Sequence, residues 1–341
     1  MTKRVRTGGE QGALLRRLRT IPILIILFLG YTVALPVMLA GALVVDVVRW
    51  LGWRVSFIAS RLVLFGWAYL VAELLALAGL LVTWVASGFG RIRSLELRFT
   101  YRLQSWWAGG LFWVIRTLFS MRLVIDADHV VVPGPVLVFI RHASIADVLL
   151  ANAIVTRRHG LLLRYVLKKE LLVDPAIDIA GNRLVNYFVH RGSGNSDEIA
   201  SVRALAEGLT ADEGVLIYPE GTRYTTEKAR KAGDSLARRH PQLADRARAF
   251  RHVLPPRLGG PLALLAGAPD ADVVVISHVG LDGLANVKHM WSGKIVGADL
   301  RISFRRVPRS TIPSDPDRQV DWLFAEWAVV DEWIDRQKRL S

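Results

Sequence analysis

The chain has 341 residues, of which 52% are hydrophobic, with a net charge of +14 and no cysteine. The missing thiol excludes disulfides, Cys-ligated zinc and a thiol acyl-enzyme. The charge points to anionic lipid headgroups, phosphorylated substrates or nucleic acid as partners. Nucleic acid is set aside because the basic residues are scattered, no zinc-finger or RNP-type pattern occurs, and the apolar excess sits in the first 120 residues.

Residues 1–20 form a basic tail containing Lys3, Arg4, Arg6, Arg16, Arg17 and Arg19. Residues 21–45 then carry no charge, and residues 62–90 carry only Glu73. A helix needs roughly 20 apolar residues to cross the hydrocarbon core, so residues 21–90 are expected to hold two transmembrane helices, the first kinked at Pro36. Arg91, Arg93, Arg98 and Arg102 follow the second. Basic flanks at both outer ends favour both termini in the cytoplasm, with the loop around residues 50–60 on the other face. That loop is itself flanked by Arg49, Arg54 and Arg61. Glu73 is expected to be neutral or paired across the two helices. Residues 91–120 read as a basic and aromatic interfacial helix, with Trp106, Trp107, Phe112, Trp113 and Arg116 in its amphipathic part.

Residues 121–341 change to short β-branched runs alternating with helical patterns. Strands are expected at 123–125, 136–140, 165–167, 187–189, 215–218, 273–277 and 300–304, and helices at 145–156 and 196–209. This alternation predicts an α/β domain, with a mostly parallel central sheet and covering helices behind the two transmembrane helices. The stretch 228–257 is dense in Lys and Arg. It reads as a solvated helical face or as a contact for anionic headgroups or a CoA phosphate.

The strand at 136–140 runs directly into Arg141-His142-Ala143-Ser144-Ile145-Ala146-Asp147. On one regular helix His142 and Asp147 would stand about 140° apart, so they can meet only with His142 in the turn and Asp147 in the first helical turn. Ser144 suits the N-cap of such a helix. An imidazole so placed can take a proton from a hydroxyl while the carboxylate fixes its tautomer. The same Ser144-x-x-Asp147 spacing fits a helix capping box, in which Asp147 is structural. The spacing recurs at His240 and Asp245, which follow no strand and precede Pro241; that pair is expected to be coincidental. Two further strand ends carry guanidinium groups: Glu220-Gly221-Thr222-Arg223 after 215–218, and His190-Arg191 after 187–189. Ligand sites of α/β sheets lie beyond such ends, and arginine grips phosphate through a bidentate fork.

These blocks resemble the 1-acylglycerol-3-phosphate acyltransferase family. Its H-x4-D block is matched by His142 and Asp147, its K-K-E-L and aromatic-x-x-R blocks by Lys168-Lys169-Glu170-Leu171 and Phe188-Val189-His190-Arg191, and its E-G-T-R block by Glu220–Arg223. The segment 253–259, V-L-P-P-R-L-G, is similar to a block of the lysocardiolipin acyltransferase branch. The sequence departs from the family in having Arg141 and Ala143 around the histidine, and in lacking a proline in the 273–278 block. The resemblance implies a direct, cofactor-free and metal-free transfer from acyl-CoA or acyl-carrier protein to a lysophospholipid acceptor at the membrane. It makes His142 the general base and Asp147 its orienting partner. It puts Arg223, Arg191, Lys168, Gly221, Thr222 and Glu220 around the acceptor phosphate. Another acceptor, such as lysocardiolipin or an aminolipid, remains open, as does a non-catalytic membrane protein. The chain contains neither the G-x-S-x-G of a serine hydrolase nor a P-loop.

Overall fold

The computed structural model describes residues 10, 12–189, 196–284 and 287–340. The long helices α1 (Ala13–Trp53), α2 (Ala59–Ala86) and α3 (Arg93–Leu118) come first. Then follow β1 (Arg122–Asp126), β2 (Val136–Ile140), α4 (Asp147–Ala151), α5 (Arg157–His159), β3 (Leu162–Lys168), α6 (Pro175–Arg183) and β4 (Tyr187–Val189). The remainder is α7 (Ser196–Ala206), β5 (Glu213–Ile217), α8 (Thr226–Arg239), α9 (Ala244–Ala249), α10 (Gly259–Gly267), β6 (Asp272–Val279), α11 (Val287–Trp291), β7 (Asp299–Val307) and α12 (Pro316–Arg339). The helix expected at 145–156 is shifted toward the C-terminus and ends at His159. It starts at Asp147 and passes through a π-helical turn, Asn152–Thr156, before α5.

The chain gathers into two compact units, and the break after residue 122 is one of several between them. One comprises residues 1–122, 148–193 and 286–298, and the other residues 123–147, 194–285 and 299–341. In the second unit the strand order is β1-β7-β6-β2-β5. β2 pairs parallel with both β5 and β6, and β7 closes antiparallel on β6. Every residue of β2 is buried, which is why it reads as an unbroken apolar run, as parallel strands covered on both faces do. In the first unit β3 and β4 pair parallel. The sheet pairing is therefore mostly parallel, as the alternation predicts.

In the first unit the three long helices pack side by side. Ala76 and Leu80 of α2 meet Trp107 and Leu111 of α3 and Ala176 and Ala180 of α6 in one apolar cluster. The helix expected at 91–120 is α3, whose Trp107, Leu111, Phe112 and Ile115 are buried inside the unit, while Trp106 and Trp113 stay exposed. The hairpin between α1 and α2 is closed by Asp46. Its carboxylate accepts from the backbone N–H groups of Ile58 (2.9 Å), Ala59 (2.8 Å) and Ser60 (2.9 Å), and from the Ser60 hydroxyl (2.6 Å). An acid carried on α1 thereby caps the N-terminus of α2, where unpaired donors and the helix dipole favour negative charge. Glu73 is fully buried on α2.

Candidate active site

β2 ends at Ile140 and the chain turns at once, because three polar groups are tied to one carboxylate. Asp147, fully buried at the start of α4, accepts through Oδ2 from the N–H of Ala143 (2.7 Å) and Ser144 (2.8 Å), and through Oδ1 from the Ser144 hydroxyl (2.6 Å). Ser144 Oγ in turn accepts from Ala146 N–H at 3.1 Å. The same Oδ2 lies 2.9 Å from His142 Nδ1. The capping reading and the orienting reading of Asp147 therefore both hold, through one carboxylate. With Nδ1–H donated to Asp147, a neutral His142 carries its lone pair on Nε2. Its side chain is 13% exposed.

Two neighbours of this dyad escaped the sequence reading. His278 of β6 is fully buried; its Nε2 donates to the Arg141 carbonyl at 3.1 Å and stands 3.7 Å from Asp147 Oδ1. Burial, with the Arg141 guanidinium nearby, lowers the His278 pKa. Burial pushes the Asp147 carboxyl up, but His278, His142 and the Ser144 hydroxyl together hold it below its usual range. Arg141 is also fully buried. It donates to the carbonyls of His278 (2.8 Å) and His252 (3.3 Å) and pairs with Asp282 at 2.9 Å. Asp282 is held well below the carboxylate range by Arg141 and Lys338 against the upward push of burial. A charged residue closing an all-apolar strand was the available signal for such a hub, since a buried guanidinium needs a partner.

The Glu220–Arg223 turn after β5 is bound to the dyad. Glu220 accepts from His142 N–H at 2.7 Å and from Leu254 N–H at 2.8 Å, and Tyr224 N–H donates to the His142 carbonyl at 3.0 Å. The Tyr218 ring lies 4.3 Å from that of His142, centroid to centroid. Glu220 is thus buried against two backbone amides, a clamp on His142. It was expected among the phosphate-binding residues, but both of its oxygens already accept from these amides. Burial pushes its carboxyl up to about 8, opposed by the two amides and Arg141. Gly221 has φ +64°, and a Cβ there would stand 2.7 Å from Arg257 Cδ, so the turn needs glycine. Lys228, at the start of α8, donates to Thr222 Oγ1 and to the Arg223 carbonyl, both at 3.2 Å. The 253–259 segment joins the same turn through Leu254 and through Arg257 N–H, which donates to the Pro219 carbonyl at 2.8 Å.

Of the remaining expected residues, Lys168 closes β3 in the first unit, and Arg191, with His190, lies outside the described residues. His240 ends α8, while Asp245 is fully exposed and faces Arg248 at 3.5 Å. That pair has none of the burial or hydrogen bonding of His142 and Asp147.

Residues 122–256 match the family model described as Acyltransferase. No curated protein matches the chain. Among solved structures it is similar to the 1-acyl-sn-glycerophosphate (LPA) acyltransferase PlsC from Thermotoga maritima. The identity is 16% and the TM-score 0.48, over 80% of this chain and 98% of that one. The segment that the Acyltransferase family model matches, residues 122–256, contains both the His142–Asp147 turn and the Glu220–Arg223 turn tied to it.

Proposed function

We propose that the protein transfers a fatty acyl group from acyl-CoA or acyl-carrier protein to the free hydroxyl of a lysophospholipid, 1-acylglycerol-3-phosphate foremost, giving phosphatidic acid. The observation that carries this reading is the 2.9 Å contact of His142 Nδ1 with a buried Asp147, which leaves Nε2 to act as base. In the transfer, the acceptor oxygen attacks the thioester carbonyl as its proton passes to His142 Nε2. The new C–O ester bond forms, the C–S bond breaks, and the imidazolium returns the proton to the departing thiolate. Asp147 stabilises the imidazolium meanwhile. Arg223, beside Thr222 and Lys228 in the turn that clamps His142, holds the acceptor phosphate. Arg191 and Lys168 are assigned to the same phosphate by resemblance. Glu220 is assigned as a positioning residue that fixes the His142 backbone. Exposed apolar helices and basic residues suit work at a membrane, because an acyl chain loses about 0.8 kcal/mol for each methylene taken out of hydrocarbon.

The test offers a radiolabelled acyl donor and a panel of lysolipids to membranes holding the protein. Lysophosphatidic acid should be acylated well ahead of monoacylglycerol, which has no phosphate. Arg223→Ala should raise the Michaelis constant for lysophosphatidic acid by tens-fold to a few thousand-fold, equivalent to about 2–5 kcal/mol, with little change for the donor. Equal rates on phosphorylated and unphosphorylated acceptors would refute the phosphate site.

A further inference from the structure

The last helix of the second unit carries a carboxylate that its own docking does not need. α12 is held down by Leu323, Trp327 and Ile334, all fully buried, with Phe324 seated on Leu243 and Ala247. On the same stripe, four residues after Trp327, stands Asp331, also buried. A charge on an apolar stripe is costly unless hydrogen bonds satisfy it. Here the donors are backbone amides of a distant segment: His252 N–H at 2.6 Å, Arg251 N–H at 3.0 Å and Val253 N–H at 3.1 Å. Three successive amides turned onto one anion form a nest. One helical turn further on, Asp335 Oδ1 lies 3.1 Å from His252 Nε2. Residues 251–253 belong to no helix or strand, so α12 supplies the hold that a regular ladder would otherwise give their amides.

Each residue fixed in this way passes on a further hydrogen bond, and all of them end at the His142 turn. The Arg251 carbonyl accepts from the Tyr224 hydroxyl at 2.6 Å, and Tyr224 N–H donates to the His142 carbonyl. The His252 carbonyl accepts from Arg141, the residue before His142. Leu254, next after Val253, gives its N–H to Glu220, which accepts in turn from His142 N–H. Three short routes therefore lead from one carboxylate to Arg141 and His142, all inside the second unit. A base must stand within hydrogen-bond reach of the proton it takes, and a misplacement of about 1 Å can cost on the order of 10²-fold in rate.

We propose that Asp331 is a positioning residue for acyl transfer: by holding the amides of residues 251–253 it fixes Tyr224, Arg141 and Glu220, and through them the backbone of His142. This role rests on the acyl-transfer reading, with His142 as the base. Asp331→Ala, Asp331→Asn and Val330→Ala, each in the full chain, test it. Val330 is buried beside Asp331 and its side chain makes none of these hydrogen bonds, so Val330→Ala shows what loosening α12 does by itself. Asp331→Ala should lower kcat by on the order of 10²-fold, with the Michaelis constant for the acyl donor near wild type. Asp331→Asn, whose Oδ1 can still accept from the amides, should recover most of the rate. Val330→Ala should lower the melting temperature and keep the wild-type kcat. A second readout needs no turnover: the ring-nitrogen resonances of His142 in protein made with isotope-labelled histidine, assigned by their loss in His142→Ala. They should move in Asp331→Ala and stay in place in Val330→Ala. Unmoved resonances in folded Asp331→Ala would overturn the role, as would a wild-type kcat or a loss of kcat matched by Val330→Ala. If Asp331→Ala does not fold, Tyr224→Phe cuts only the hydroxyl link to Arg251, and unmoved resonances there would overturn the role equally. Should the wild type transfer no acyl group, the acyl-transfer reading fails, and the resonances alone decide whether Asp331 positions His142.

Discussion

The turn after β2 and the α1–α2 hairpin are both built around a buried aspartate that gathers backbone amides, yet only the first was readable as a sequence pattern. Asp147 caps a turn from three to five residues away. Asp46 caps a helix that begins 12 to 14 residues further on, and nothing in its immediate sequence marks it. The difference is one of range. A local carboxylate writes its partners into a short motif, whereas a distant one is revealed only by packing. The same holds for the two apolar helices. Val33 of α1 is 82% exposed while Ala76 of α2 is 1% exposed, so two stretches that pass one hydropathy test have different surroundings.

The comparison can be pressed by substitution, beginning with the largest expected effect on stability. Arg141→Ala takes the nearer partner from Asp282, which keeps Lys338 at 3.8 Å, and frees two carbonyls. Each buried acceptor left unpaired typically costs about 1–3 kcal/mol. A chemical-denaturation midpoint would show it, and a midpoint unchanged from wild type would mean Arg141 is no hub. Asp147→Asn keeps an acceptor for part of the cap, so its stability loss should be nearer 1–3 kcal/mol. Its turnover should fall far more than that, since an amide does not stabilise an imidazolium. Normal turnover in a destabilised variant would reduce Asp147 to a cap. Asp46→Ala removes a cap in the hairpin, with an expected loss of about 0.5–2 kcal/mol and a normal turnover number. A loss of turnover in the folded variant would tie the hairpin to chemistry, contrary to the contrast drawn above.

A further effect is on pH dependence. The folded pKa of Glu220, raised to about 8, lies above its ordinary 4.5. Its contribution to stability is therefore complete below pH 4.5 and is lost as the pH climbs through about 8. Wild-type melting temperature should fall over that interval, and Glu220→Gln should flatten the fall. A parallel pair of curves would show that Glu220 does not titrate there.

Much of the fold was legible because its signals are local. All seven strands lie where β-branched runs sit between turn residues, and β2 and β4 have the expected limits. The His142 turn was legible because strand, turn and cap follow one another within a dozen residues. What could not be read depends on partners remote in sequence. Arg141 meets His278 and Asp282 across 137 and 141 residues, and Glu220 turns away from solvent toward His142, 78 residues earlier. The grouping of residues 148–193 with the long helices rests on α6 packing against α2, and no hydropathy window over α2 reports what lies beside it.

The central claim is that His142, and not merely a histidine five residues before an aspartate, performs the proton transfer. His142→Ala and His240→Ala, assayed together for acyl transfer to lysophosphatidic acid and for melting temperature, test it most directly. The account predicts that His142→Ala loses about 10²–10⁴-fold in rate with its melting temperature close to wild type, while His240→Ala keeps both. Equal activity in the two variants, both folded, would contradict it.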